Sequence, residues 1–516
     1  MTNTQKVAQS AAMIAIFTLI SKFLGFLREI LIAYTYGSGY ETDTYFLAMT
    51  ATVIIMTTIG AALNTTLVPI FTEIDQKSGK DGKLKFLNNI LNVVFLISII
   101  LALLGFILSP KIIKILASGF KGEQFDLAVK LNRIGLPIVI FLGFTYVFSG
   151  YLHSSEIFGP PAIMGLPYNL IFIIFLLFFA KKDHIEGLML ASVIAASTQF
   201  LIQVPAIKYQ GYRYSLDVNL EDPYLKKALL LVLPVMIGSA VQQINIIVDK
   251  TLASNLVDGS ISALTYASRI NDLIIAVFVM AITTVVFPML AKAFSNENYS
   301  QVNKIMGLGI NIILIITVPA TIGMLLLAEP IIKIFFERGA FTEIATLMTS
   351  QALIFYSLGL VASSLRMLLN RVYYSFQDTR SPMINGITAV AANISLNLIL
   401  VESMGHAGLA LATSISTTFA TLLLFINLRK RLGKIGLKRY LICFFKTLFA
   451  SIVMGLFVYL IYFKLTPLLP SVWIVELLML LLSVAVGVFI YVIMCSALRV
   501  REMRILLRTI VSKFSK

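Results

Sequence analysis

The chain has 516 residues, 58% of them hydrophobic and 13% charged, with a formal net charge of +16. Soluble domains sit near half apolar and a quarter charged, so this composition excludes a water-soluble globular protein. It points to an all-α polytopic membrane protein with no separate hydrophilic domain.

A membrane-spanning helix needs about 20 apolar residues. Fourteen segments qualify: 8–36, 43–72, 86–109, 131–152, 158–180, 185–207, 226–253, 262–291, 304–328, 346–370, 382–402, 407–428, 440–463 and 472–497. No alternating strand pattern appears, so the segments read as helices. The first lacks a small-residue cleavage signature after it and reads as a retained helix. Lys77, Lys80, Lys83 and Lys85, the run Arg429 to Arg439, and the tail Arg499 to Lys516 fall on one side. By the positive-inside rule that side is the cytoplasm, with both termini there. The basic excess then reflects topology and attraction to anionic lipid, not nucleic-acid binding.

The first span, "FTLISKFLGFLREILIAYTYG" from Phe17 to Gly37, contains Lys22, Arg28 and Glu29. At about 100° per residue these three share one third of the helix circumference with Ser21 and Gly25. Charges inside spans face a bundle interior or a watery cavity, so this stripe is expected to face the protein.

Three pieces of the first half recur in the second. "VPIF" at Val68 resembles "FPML" at Phe287. Tyr151, Glu156 and Pro160 match Tyr373, Asp378 and Pro382. "GLMLAS" from Gly187 matches "GLALAT" from Gly408. The offsets are all near 221 residues. The chain therefore divides into a six-helix repeat over 1–215, a second over 216–435, and two extra helices with a basic tail over 436–516. An even helix number makes both repeats enter the membrane from the same side, and such pairs enclose a central cavity.

The same offset sets Arg28 against Asp249 and Glu29 against Lys250. The eighth span adds Arg269 and Asp272, spaced i, i+3, and the tenth adds Arg366. Arginine's planar fork suits phosphate and lysine supplies a point charge. Lys22, Arg28 and Arg269 can thus clamp an anion such as a diphosphate. The competing reading is internal neutralisation, of Arg28 by Glu29 or Asp43 and of Arg269 by Asp272.

Other chemistries find little support. There is no phosphate-binding G-x-x-x-x-G-K-[ST] motif. His153, His184 and His406 lack metal-ligand spacing, and Cys443 and Cys495 read as small core residues. No catalytic triad or cofactor motif stands out, so an enzyme is not expected.

"SKFLGFLREILIAYTYGSGYETDTYFLA", Ser21 to Ala48, resembles the first helix and loop of the MurJ (MviN) lipid II flippases. These belong to the multidrug/oligosaccharidyl-lipid/polysaccharide exporter superfamily. "LNRIGLP" from Leu131, "YASRINDL" from Tyr266 and "YYSFQDTRSP" from Tyr373 resemble further pieces of that family.

The resemblance implies transport of undecaprenyl-pyrophosphate-linked peptidoglycan precursor from the inner to the outer leaflet of the cell membrane. The purpose is peptidoglycan and cell wall biogenesis, with lipid II, membrane lipids and cell-wall synthesis machinery as partners. It places the family's cavity arginines on Arg28 and Arg269, a further basic position on Lys22, and acidic positions on Asp43 and Asp272. Some members carry an arginine in the second helix. "TATVIIMTTIGAALNTT", Thr50 to Thr66, has none, which leaves open whether Arg366 replaces it. The two extra helices are implied to form a groove for the lipid tail. No bound cofactor is implied; coupling to Na+ or to membrane potential is. Asp249 and Asp378 are the acidic groups best placed for a monovalent cation, though Asp378 equally suits capping a turn beside Arg380. A lipid-linked polysaccharide flippase of the same superfamily is the nearest alternative and a multidrug antiporter the next, although a cation exporter's cavity should be acidic.

Overall fold

The computed structural model describes residues 3–181, 184–433, 435–470 and 472–504, with side chains from Ile14 onward except Ala15. The tail beyond Arg504, part of the expected basic segment, lies outside the described residues. All regular structure among them is helical. In chain order the helices are α1 (Asn3–Tyr36), α2 (Tyr40–Leu116), α3 (Glu123–Gly135), α4 (Pro137–Ser154), α5 (Gly159–Ile163), α6 (Gly165–Phe178), α7 (Ile185–Leu201), α8 (Val204–Tyr209) and α9 (Pro223–Ala253). They continue as α10 (Ser260–Ile274), α11 (Met280–Ser295), α12 (Tyr299–Phe336), α13 (Glu343–Leu358), α14 (Leu360–Ser375), α15 (Arg380–Leu432), α16 (Leu437–Tyr459) and α17 (Trp473–Ala497). A π-helical turn, Ile275–Val279, joins α10 to α11.

Ten helices among the described residues are long and apolar enough to cross a membrane, or eleven when the bent pair α13 and α14 is one span. This is fewer than the fourteen segments expected: α2 and α15 are each two helices joined at a positive-φ glycine, which accounts for two of the difference, and α1, which holds the expected first span 8–36, is not among the helices counted. Gly79 sits at φ 63° and Gly405 at φ 57°. The rings of Phe71 and Phe86 lie 5.3 Å apart, whereas fifteen residues of straight helix would separate them by roughly 22 Å. The chain therefore doubles back at Gly79. In α15, Asn393 Nδ2 donates to Ser416 Oγ at 3.4 Å across 23 residues, which shows the same reversal.

Two compact units result. One runs to Ser262 and takes in Arg338–Phe341; the other holds Ala263–Glu337 and the chain from Thr342. In the first unit α2 packs on α3, α4 and α9, and α1 packs on α6. Its core gathers Leu67, Phe71, Phe86, Val147 and Tyr151. By sequence offset α9 opens the second repeat, yet it packs within the first unit. In the second unit α12 packs on α13 and α16, and α17 on α16. Left-handed backbone positions recur at the offset read from sequence. Gly37 and Gly259 lie 222 residues apart, Glu156 and Gln377 lie 221 apart, and Gly211 and Gly433 lie 222 apart.

Polar contacts fix the ends of the first unit's helices. Lys83 is 2% exposed. Its ammonium reaches Asp75 Oδ2 at 3.2 Å, Ser155 Oγ at 2.8 Å and Ser154 O at 3.3 Å, and faces the Tyr151 ring. A buried lysine is tolerable only when paired and hydrogen-bonded in this way, and here it ties the Gly79 reversal to the end of α4. The segment "LNRIGLP" is a polar seam: Asn132 accepts from Ser109 Oγ at 2.8 Å and donates to Thr52 Oγ1 at 3.1 Å. At the opposite end of α1, Ala340 N donates to Tyr34 O at 2.8 Å. Gly37, at φ 74°, lies so close to Ala340 that a Cβ there would meet its carbonyl oxygen at 2.4 Å.

Candidate functional site

Ser21, Gly25 and Arg28 of the α1 stripe face α6. A Cβ on Gly165 would sit 2.1 Å from Ser21 Oγ, and one on Gly25 would sit 3.7 Å from Asn169 Oδ1. The small residues thus let the two helices approach closely. Asn169, buried on α6, donates its amide to Ser21 O at 3.0 Å and to Gly165 O at 2.8 Å. Its Oδ1 accepts from Arg28 Nη1 at 3.2 Å.

Arg28 Nη2 binds Glu29 Oε1 at 2.6 Å, and the guanidinium lies 5.0 Å from the Phe172 ring centroid and 5.5 Å from that of Tyr168. An amide oxygen, a carboxylate and two ring faces therefore set its position. The rings are a favourable wall for a cation. The neutralising pair foreseen from sequence is present with Glu29, not with Asp43. It uses only part of the group, since a guanidinium has five N–H donors and the two hydrogen bonds above are the ones it makes among the described residues. Lys22, six residues earlier, is exposed, with no hydrogen bond or ion pair among the described residues.

Asp43 has a different environment. Its carboxylate is 3% exposed. Oδ2 accepts from Gly259 N at 2.8 Å, and Oδ1 accepts from Ser262 N at 2.7 Å and Ser262 Oγ at 2.6 Å. It is a side-chain cap on the first turn of α10, where a carboxylate is favoured by the free N–H groups and the helix dipole. Also in the first unit, Asp249 is half-buried on α9 and accepts from Asn245 Nδ2 at 3.2 Å.

The second unit carries the remaining candidates. Arg269 and Asp272 are exposed, three residues apart on α10 and immediately before the π turn. Such turns are frequent at functional positions. Arg366, on α14, is half-buried and makes no hydrogen bond or ion pair among the described residues. A Cβ added to Gly386 would lie 3.8 Å from its Nη2. Asp378 is engaged as a cap: Oδ1 accepts from Ser381 N at 3.0 Å, and Oδ2 from Ser381 Oγ at 2.8 Å and Arg431 Nη1 at 2.5 Å. The turn reading holds for its geometry, with Arg431 taking the place expected of Arg380. Burial pushes this carboxyl upward, but the Ser381 hydrogen bonds and Arg431 outweigh it and hold it below the usual range. No group of three or more His, Cys, Asp or Glu side chains able to hold a metal occurs among the described residues.

The second unit also holds an apolar groove of about 930 Å³, walled by Leu314, Leu365, Phe425 and Phe444, with Arg429 and Lys430 among its lining. The first extra helix, α16, lines it. The second, α17, contributes no lining residue, and the other walls come from α12, α13, α14 and α15.

Asn169, Tyr168, Phe172 and Arg431 were not singled out from sequence. The one signal for Asn169 is its position as a lone amide inside the apolar run "GLPYNLIFIIFLLF".

Comparison with known proteins bears on this arrangement. The family model described as lipid II flippase MurJ matches residues 32–483. A probable lipid II flippase MurJ of Rickettsia prowazekii is 30% identical over 417 residues, covering 80% of this chain and 82% of that protein. The lipid II flippase MurJ of Burkholderia cenocepacia is 28% identical over 424 residues, covering 80% and 82%. Among solved structures, a lipid II flippase MurJ in an inward closed conformation superimposes with a TM-score of 0.80 at 26% identity, covering 95% of this chain and 99% of that one. An inward-facing multidrug resistance transporter of the MATE family matches in fold, with a TM-score of 0.67 at 17% identity over 82% of this chain and 98% of that one.

Proposed function

The chain belongs to the lipid II flippase MurJ family, and on that premise we infer that it carries lipid II across the cell membrane by alternating access. The substrate is the undecaprenyl-pyrophosphate-linked peptidoglycan precursor, moved from the inner to the outer leaflet. The loop charges put both termini in the cytoplasm.

The observation that carries the mechanism is the setting of Arg28. Asn169 and two aromatic rings orient its fork, and Glu29 neutralises one edge, while further N–H donors remain for a diphosphate. A diphosphate presents paired oxygens that match such a fork. Lys22 on the same helix leaves the stripe with one positive charge beyond the Arg28–Glu29 pair. Arg269 and Arg366 supply the cationic groups of the second repeat, Asp272 tempers Arg269, and Asp43 holds the first turn of α10. The apolar groove beside α16 suits the polyprenyl tail. A coupling cation such as Na+ would find its acidic ligand at Asp249, since the Asp378 oxygens are occupied by Ser381 and Arg431.

Precursor export measured in flippase-depleted cells tests the reading. Arg28→Ala should abolish export at normal protein level, and Arg28→Lys should restore part of it, because charge returns without the fork. The double variant Arg28→Gln with Glu29→Gln decides between roles. Export at the wild-type rate would make the pair purely structural and remove the diphosphate clamp.

A further inference from the structure

The connection between α8 and α9, residues 210–222, has no regular structure, yet three asparagines of α2 hold it. Asn88 Nδ2 donates to Arg213 O at 3.2 Å and Ser215 Oγ at 2.6 Å, and its Oδ1 accepts from Tyr212 Oη at 2.8 Å and Ser215 N at 3.2 Å. Asn89 exchanges two bonds with the Asn219 backbone, at 2.8 and 2.9 Å. Asn92 Nδ2 donates to the carbonyls of Ser215 and Asp217, both at 2.9 Å. Side-chain amides thus supply the partners that a neighbouring strand would otherwise give this backbone.

The clamped segment roofs a cavity of about 340 Å³ in the first unit, within the ~300–1,000 Å³ range of small-molecule pockets. Its walls are a chain of rings. Phe95 meets Phe144 at 5.5 Å, Phe144 meets Phe200 at 5.1 Å, Phe200 meets Phe148 at 5.2 Å, and Tyr212 of the roof meets Phe148 edge-on at 6.2 Å. Lys208 belongs to the lining, is exposed, and makes no hydrogen bond or ion pair among the described residues. Tyr209 and Tyr214 beside it are 89% and 55% exposed. Tyrosines and a lysine at the end of apolar spans mark the headgroup level of a bilayer, where a lysine extends its ammonium toward polar surroundings.

We propose that this cavity is a lipid site, taking part of one acyl chain of an anionic membrane phospholipid whose phosphate pairs with the Lys208 ammonium. Two features select that occupant. Most of the lining is aromatic or aliphatic, and its polar members Asn92 and Tyr212 already spend their donors on Ser215, Asp217 and Asn88, so hydrocarbon suits the interior. Lys208 is the one charged side chain among the lining residues, so an anionic headgroup is favoured over a zwitterionic one. An occupant here also bears on Tyr212 and so stiffens the connection that Asn88, Asn89 and Asn92 hold. The site stands apart from the transported substrate and does not depend on the flippase reading.

Native mass spectrometry of the full-length protein, titrated separately with phosphatidylglycerol and phosphatidylcholine, tests it. Wild type should retain phosphatidylglycerol preferentially. Lys208→Glu should lower that retention about fivefold, the order expected for one basic residue at an anionic lipid surface, and leave phosphatidylcholine unchanged. Phe200→Trp, which fills the cavity, should lower retention of both. Equal retention of the two lipids by wild type, or unchanged retention in Lys208→Glu, overturns the proposal. So does displacement of phosphatidylglycerol by undecaprenyl phosphate, which would make the cavity a carrier-lipid site. If Phe200→Trp fails to fold, the exposed Lys208→Glu substitution decides alone.

Discussion

Arg28 and Asn169 are joined across 141 residues by a 3.2 Å hydrogen bond, and the same asparagine binds the Ser21 carbonyl two turns earlier. One amide thus fixes both the placement of α1 on α6 and the aim of the guanidinium. Asn169→Asp should keep the fold but add a second carboxylate beside Arg28. Export should fall severalfold while the melting temperature stays near wild type. Asn169→Leu strands a buried donor and the Ser21 carbonyl, which costs about 1–3 kcal/mol, so it should lower both. Wild-type export in Asn169→Asp would mean that Arg28 needs no tuning by this residue.

Asp43 should behave as a cap. Asp43→Ala removes the acceptor for two backbone N–H groups and a hydroxyl, at a cost of about 0.5–2 kcal/mol. Asp43→Asn retains one acceptor oxygen and should lose less. Thermal unfolding in detergent measures the order, and an Asp43→Ala protein that melts with wild type would show that α10 does not need the cap.

Arg366 is half-buried without a partner among the described residues, an arrangement whose desolvation is not repaid by an opposite charge. Arg366→Met should therefore raise the melting temperature and lower precursor export together. Raised stability with full export would assign Arg366 no part in transport and leave the missing second-helix arginine unreplaced.

Glu73 lies half-buried between Lys77 and Lys227, linking α2 to α9. The hydrogen bond from Lys227, then that from Lys77, holds its carboxyl down at about 2 from an ordinary 4.5. A folded value below the unfolded one means the contribution is full above about pH 4.5 and is lost as pH falls toward about 2. The Glu73→Gln protein should melt below wild type at pH 6, and the gap should narrow steadily below about pH 4.5 and close as pH falls through about 2. Parallel melting curves for the two proteins across that window would show the pair contributes nothing.

Topology has a direct check. A cysteine at exposed Lys121 should react with an impermeant thiol reagent added outside the cell, and one at exposed Ser78 should not. The opposite pattern would invert the orientation drawn from the loop charges.

Sequence alone revealed much of this. Apolar run lengths marked the spans even where Gly79 and Gly405 let helices merge, because a run length reports burial in lipid while a turn depends on one residue's backbone. The 221-residue offset reappeared in left-handed positions such as Glu156 and Gln377, which no pattern of side chains flags. The face of α1 was legible from periodicity, and the Arg28–Glu29 pair from adjacency. Asn169, Tyr168 and Phe172 were not, because helix–helix contacts depend on a pairing of α1 with α6 that neither segment encodes by itself. Lys22 showed the limit of the angular argument: it shares the stripe's sector but sits at its edge, outside the contact with α6. The partner of Asp378 was missed for a similar reason. Arg380 is close in sequence, while Arg431 reaches it only once α15 has doubled back.

The contact between Tyr34 and Ala340 also bears on the order in which the molecule is made. Residues 338–341 belong to the first compact unit but are synthesised about 80 residues after the rest of it. At roughly 5–20 residues per second, that unit waits on the order of 4–16 s for its last piece, while α10, α11 and α12 emerge. During that interval the Tyr34 carbonyl lacks the Ala340 amide that later binds it, and the end of α1 is open to insertion factors or to wrong pairing. A helix made about 300 residues earlier is therefore locked in place only when residues 338–341 arrive.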